Sequence, residues 1–154
     1  MTRAARAIRA AEADLAVGVK YVFGAKPPLS GALRPGAASD CSGAVRRWVA
    51  QAGVTEIQHD GQAVSVVDFN GSVRQRELCH DVPVSLALGP QGVGCLLFIT
   101  PHGARAGHVA LSLGDGWTIE CRGHHGVCKV GPAENRRRGW EAAGKLPELF
   151  VAAD

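Results

Sequence analysis

The sequence predicts an α+β fold, with N-terminal helices packed against a central antiparallel β-sheet. Three observations point there. Apolar residues recur at helical spacing in the first third of the chain, notably in "RAARAIRAAEADLAV" and "CSGAVRRWVA". Strand-like alternation with tight-turn residues follows later, notably in "GHVALSLGDGWTIECRG". Helices first and hairpins second is the α+β order. A length of 154 residues, 46% hydrophobic and 20% charged, fits one globular domain over residues 1–154.

Taken in order, residues 3–19 form a helix whose stripe is Ala4, Ile8, Ala11, Leu15 and Val19, with Arg3, Arg6 and Arg9 on another face. The Gly- and Pro-rich "YVFGAKPPLSGALRPGAAS" reads as a long ordered loop or flap. A second helix runs from Cys41 to Ala52, capped by Ser39 or Asp40 and stopped by Gly53; its stripe is Val45, Trp48, Val49 and Ala52. In residues 54–92, "VSVVDF" reads as a strand and the following "NG" as a turn, without a clear partner strand. "GCLLFIT" is a short apolar strand, and the hairpin follows it. "GVCKVG" is a further strand, "ENRRRGWEAAG" a short basic helix or loop, and "ELFVAA" a final strand. The "NRRRGW" stretch within it reads as a solvated basic turn.

The hairpin register follows from which face each side chain takes. Val109, Leu111 and Leu113 share one face of the first strand, and His108, Ala110 and Ser112 the other. On the second strand Trp117, Ile119 and Cys121 oppose Thr118 and Glu120. A three-residue loop, Gly114 to Gly116, pairs Leu113 with Trp117, Ala110 with Glu120 and His108 with Arg122. Both apolar sets then reach the core. A two-residue Asp115-Gly116 turn would shift the register by one and turn one set away. In the preferred register His108 and Glu120 are diagonal neighbours, roughly 7–8 Å apart and within reach of a long side chain.

Several classes are disfavoured. A net charge of +3 is too small to argue for nucleic acid, and no RNA-binding, zinc-finger or helix-turn-helix signature is present. No apolar run is long enough to cross a membrane, so no membrane partner is expected. The N-terminus begins basic, but Glu12 and Asp14 interrupt it where a signal peptide needs an apolar stretch. Synthesis in the cytoplasm without a signal peptide is therefore expected. Five cysteines, an odd number, argue against a disulfide framework. Cys121, His124, His125 and Cys128 are metal-capable, but adjacent histidines diverge and Cys121 turns toward the core. Neither a metal nor another cofactor is expected.

A histidine backed by a carboxylate is half of a nucleophilic site. Cys41 at a helix start is the best candidate for the other half, because a helix N-terminus and a nearby imidazolium favour a thiolate. Free N–H groups of that helix turn can also bind an oxyanion. "DCSG" at the helix start, then "GCLLFI", then "GHVALSLGDGWTIE" together resemble the NlpC/p-sixty family of papain-like cysteine peptidases of bacterial cell walls. The resemblance runs from about Tyr21 to Glu120, with a poorly matched middle. It implies a papain-like fold with Cys41 as nucleophile, His108 as base and Glu120 as the orienting residue. It also implies that the phenol of Tyr21, in "YVFG", lines the active site. Asp40 and Ser42, flanking Cys41, are assigned with it to substrate binding. Arg122, His124 and His125 are candidates to meet a substrate carboxylate.

Two departures stand out. The third catalytic position is usually histidine and here is Glu120, and the acid of the family's "GDLLFF" strand is Cys95. The implied reaction is cleavage of peptidoglycan stem peptides, most often between D-glutamate and a diamino acid. Other readings of the same residues are an amidase, transferase or deamidase of the same clan, and a non-catalytic phage-tail or wall-binding module. Without an export signal, delivery by phage lysis, a phage tail or a secretion machine is expected, with a phage-related origin favoured. The oligomeric state stays open.

Overall fold

A computed structural model describes all 154 residues, Met1–Asp154. Helix α1 (Arg3–Val17) starts at Thr2, whose hydroxyl accepts the Ala5 N–H at 3.1 Å, and ends at Gly18 in the left-handed region. Its buried face is Ala4, Ala7, Ala11 and Asp14. The stripe read from the sequence was rotated, since Ile8 and Leu15 are only partly buried and Val19 lies past the helix end. Small alanines on the buried face let α1 lie close against the next helix.

Strands β1 (Lys20–Tyr21) and β2 (Ala38–Ser39) pair in parallel, so the Gly/Pro-rich loop between them closes on itself. Helix α2 (Cys41–Gln51) follows, and Val45, Trp48, Val49 and Ala52 are all buried as expected. A buried ion pair ties these pieces together. Arg47, 1% exposed, donates from Nε and Nη2 to the two oxygens of Asp14 at 2.9 and 3.2 Å. It also donates to the carbonyls of Pro28 and Gly31 in the loop, and the Trp48 indole donates to Asp14 at 2.9 Å. The acid that argued against a signal peptide is therefore a core residue. Asp14→Ala leaves a guanidinium buried without its anion and is expected to cost about 3–5 kcal/mol. Urea unfolding checks this; a loss below about 1 kcal/mol would show that the loop carbonyls suffice.

Residues 54–92 hold more structure than the sequence suggested. β3 (Glu56–His59) and β4 (Gln62–Ser65) form a hairpin turning at Asp60 and Gly61, both with positive φ. Only the start of "VSVVDF" is strand; residues 66–68 tighten into a 3₁₀ turn. Then come α3 (Ser72–Leu78), β5 (His80–Val82) and α4 (Val84–Ala87). The expected strand is β6 (Leu96–Ile99), the hairpin is β7 (His108–Gly114) and β8 (Trp117–Arg122), and β9 (Gly126–Val130) follows. α5 (Pro132–Asn135) is one turn, and β10 (Ala142–Lys145) comes after it.

The six-stranded antiparallel sheet has the order β5-β10-β6-β7-β8-β9. The final sheet strand is therefore residues 142–145, read above as helix or loop. "ELFVAA" instead begins in a 3₁₀ turn and touches Thr2 through an isolated bridge at Ala152.

The hairpin satisfies both register arguments by using a bulge. Leu111 faces Ile119 and Ser112 faces Thr118, as the three-residue loop requires. The pairing then shifts at Leu113, so that Gly114 faces Trp117 around an Asp115-Gly116 turn. Trp117 consequently leaves the core and is 45% exposed, contrary to expectation. Val109, Leu111, Ile119 and Cys121 face the α1–α2 layer and belong to the main core. The opposite face is covered too: Ser112 donates to the Ala87 carbonyl at 2.6 Å, and Thr118 and Glu120 are fully buried.

Candidate active site

The first turn of α2 is built around Asp40. Its carboxylate accepts the Gly43 N–H at 2.6 Å and an ion pair from Lys26 at 2.6 Å. Lys26 also donates to the Ser42 hydroxyl at 2.9 Å. Asp40 and Ser42 are thus buried and engaged within the protein, 8% and 4% exposed. Gly43 has no room for a side chain: a Cβ there would lie 2.7 Å from Asp40 Oδ1 and 3.0 Å from the Ala25 carbonyl. This explains the "D-x-S-G" spacing locally. Gly43→Ala is expected to lower stability by about 1–2 kcal/mol through the disturbed cap, although alanine is the better helix former. A thermal melt that rises instead would contradict it.

Cys41 opens the helix, 8% exposed, with Sγ 4.0 Å from the Gly107 carbonyl oxygen. Gly43 N–H is used by the cap and Ala44 N–H by the Asp40 carbonyl. The N–H groups of Cys41 and Ser42 have no partner within the helix, as at any helix start. They are free to bind the oxygen of a carbonyl attacked beside Cys41.

His108 opens β7, beside Gly107. Its Nε2 lies 2.8 Å from Glu120 Oε1, so Nδ1 is the ring nitrogen left free, and Cys41 lies close enough to act on the ring's charge. Burial pushes the imidazole's pKa down, but the neighbouring Cys41 and the Glu120 carboxylate outweigh this and hold it up at about 9. Glu120 is 0% exposed. Burial alone would raise its pKa; His108 and Arg138 instead bring it to about 2.

Much of this environment was invisible in the sequence. Arg138, in the stretch read as a solvated basic turn, has a side chain only 13% exposed and donates to Glu120 Oε1 at 2.6 Å. Thr118 donates to Glu120 Oε2 at 2.7 Å. Asn135 donates to Thr118 Oγ1 at 3.2 Å and to the Gly116 and Val130 carbonyls, and it accepts the Trp140 indole N–H at 3.2 Å. Trp140 stacks on His108, with ring centroids 6.0 Å apart at 23°, and Arg138 lies 4.8 Å from the Trp140 ring. One signal was available: a buried glutamate with an imidazole on one side calls for further donors.

The remaining sequence candidates are placed unevenly. Burial raises the Tyr21 phenol's pKa, and Cys41 and Asp40 lie close enough to add to it. Tyr21, His124 and His125 line one shallow depression together with Lys20 and Gly126. Arg122 is instead paired with Glu134 of α5. Cys121 is buried beneath the site and donates to the Ser39 carbonyl at 3.4 Å. No three side chains of the Cys121–Cys128 window, or elsewhere, gather as a metal-ligand group. Cys95 sits in a small apolar cluster with Ala87, Leu97 and Ala143.

Comparison with known proteins gives a consistent picture. The model of the NlpC/P60 family matches residues 18–142. The P60 domain of antigen MAP1204 from M. avium subspecies paratuberculosis superposes with a TM-score of 0.65 at 22% identity, covering 97% of this chain and 96% of that one. The NlpC/p60 domain of the peptidoglycan hydrolase SagA gives 0.59 at 24% identity, covering 93% and 98%. The peptidoglycan hydrolase RipB from Mycobacterium tuberculosis gives 0.58 at 26%, covering 96% and 68%. No curated protein matches the sequence. The architecture is the papain-like α+β fold that the sequence led us to expect.

Proposed function

The chain belongs to the NlpC/P60 family, and from that premise we propose that it is a cysteine endopeptidase hydrolysing peptidoglycan stem peptides. One observation supports this above the others: His108, close to Cys41, has its Nε2 fixed by the buried Glu120 carboxylate and its Nδ1 left free. That is the arrangement a nucleophilic thiol needs. SagA and RipB, which this chain resembles, are peptidoglycan hydrolases, and that supports the substrate class.

In this reading the Cys41 thiolate attacks the amide carbonyl, and a C–S bond forms. The N–H groups at the start of α2 face the developing oxyanion. The C–N bond breaks as His108 gives its proton to the leaving amine. Water then attacks the thioester, His108 takes a proton from it, and the C–S bond breaks to release the acid. Glu120 holds the ring and balances its charge. Tyr21, His124 and His125 contact substrate, the histidines and Lys20 meeting a substrate carboxylate. The scissile bond is the one between D-glutamate and the diamino acid. Residues 1–154 act as one catalytic domain, made in the cytoplasm and brought to the wall by a phage-related route.

Digestion of purified peptidoglycan, with mass spectrometry of the new termini, tests this. New diamino-acid amino termini are expected; release of intact stem peptides would mean an amidase instead, and no release would leave a wall-binding module. The pH profile adds a second check. A raised histidine keeps its proton beyond its ordinary range, so kcat/KM is expected to hold through neutrality and fall as pH rises through about 9. Glu120 stays ionised throughout that window, because its pKa is lowered to about 2. A basic limb near the ordinary histidine value, about 6.5, would contradict this geometry.

A further inference from the structure

The third position of the site is not a lone carboxylate. Glu120 Oε1 accepts from two cation-capable groups at once, His108 Nε2 at 2.8 Å and Arg138 Nη2 at 2.6 Å, while Oε2 is occupied by Thr118. We infer that Arg138 is a positioning residue for the base: it shares the Glu120 carboxylate with His108, and so limits how tightly that carboxylate holds the imidazole's proton. This rests on the proposed hydrolase reading for its consequence in catalysis, though not for its effect on His108.

The physical argument starts from burial. A glutamate with no exposure facing one imidazolium forms a strong, poorly screened pair. Such a pair keeps the ring oriented but makes it a reluctant acid toward the leaving amine. A guanidinium on the same oxygen draws part of the carboxylate's charge and repels the imidazolium. The ring then stays oriented without being over-stabilised in its charged form.

The surroundings leave this task to Arg138. Charged and titratable groups face the pair from four elements: Cys41 from α2, Arg122 on β8 itself, Cys128 directly across from Glu120 on β9, and Arg138 from the segment after α5. Arg122 is neutralised by Glu134 of α5. On the β6 side, the residue paired with His108 is the uncharged Ile99. Glu120 is the hydrogen-bond partner of the Arg138 side chain, whose buried Nη1 has none. Its guanidinium also lies against Trp140, the ring stacked on His108. Arg138 therefore touches both supports of the imidazole.

The test measures the imidazole directly as well as turnover. ¹⁵N-histidine NMR titrations of the full chain are compared for wild type, Arg138→Met and Arg138→Lys, with His108 assigned from the signal lost in His108→Gln. Removing the guanidinium is expected to move the His108 titration upward by about half a pH unit or more. The basic limb of kcat/KM should move with it. kcat on peptidoglycan should fall about tenfold or more with KM little changed, and Arg138→Lys should restore part of both. An unmoved His108 titration in Arg138→Met overturns the inference, whatever happens to the rate. So does a loss of activity with no change in titration and no rescue by lysine, which would mark a purely structural residue. If wild type digests no wall but the titration moves as stated, the hydrolase reading fails and the role of Arg138 stands.

Discussion

Cys41→Ala is expected to lower peptidoglycan hydrolysis by at least about 10³-fold while leaving the fold intact. The substitution removes one sulfur from the first residue of α2, and the cap there is made by Asp40, Lys26 and Gly43 rather than by the thiol. A circular-dichroism melt close to wild type, beside absent digestion, is the predicted pair of results. Alkylation gives an orthogonal reading of the same side chain. Burial raises the thiol pKa of Cys79, Cys95 and Cys128 and pushes that of Cys121 up to about 12. Those four should resist iodoacetamide near neutral pH, and labelling should concentrate on Cys41. Equal, slow labelling of all five cysteines would contradict a nucleophilic role, as would an alanine variant that still digests wall.

Glu120→Gln is expected to damage both turnover and stability, for separable reasons. Glutamine keeps the shape but loses the charge that sustains the imidazolium, so kcat/KM should fall by about 10²-fold or more. The same change leaves the Arg138 guanidinium buried without its anion, at about 3–5 kcal/mol. The double variant Glu120→Gln/Arg138→Met separates the two effects. It should recover much of the stability, because no unpaired charge remains, and none of the activity. Urea unfolding and initial digestion rates on the two variants decide this. Activity returning together with stability would mean that Glu120 serves only as a structural partner for Arg138.

The parts of this site that were legible in the sequence are those set by local rules. The cap and stripe around Cys41 follow from helix periodicity, and Glu120 could be placed behind His108 because core burial fixes strand parity. Even there the turn chemistry had its way: Asp115 and Gly116 form their two-residue turn, and a bulge at Leu113 absorbs the conflict. Trp117 was misjudged for that reason. The β3–β4 hairpin carried an equally good "DG" signal in "IQHDGQAV", which went unread because its strands are short and mostly exposed. α5 is a single turn, and β10 has the sequence "AAGK", with no alternation and no β-branched residue. Its strand conformation comes from being sandwiched between β5 and β6, a tertiary effect that outranks propensity. Arg138 and Trp140 were missed on the same grounds. Trp140 reaches His108, and Arg138 reaches Glu120, only because the segment between α5 and β10 folds over the far side of the sheet.

The placement of β10 also bears on the order of events during translation. Its pairing partners, β5 and β6, are synthesised some forty to sixty residues earlier, yet neither is bonded to the other without it. A nascent chain that has exposed Cys41, His108 and the hairpin still lacks the strand that joins β5 to the run β6-β7-β8-β9, and lacks the Arg138 guanidinium beside Glu120 and the Trp140 indole beside His108. Closure of the six-stranded sheet therefore waits for residues 131–145 to be made, and a chain stalled before that point carries Cys41 and His108 without the Arg138 and Trp140 contacts around them.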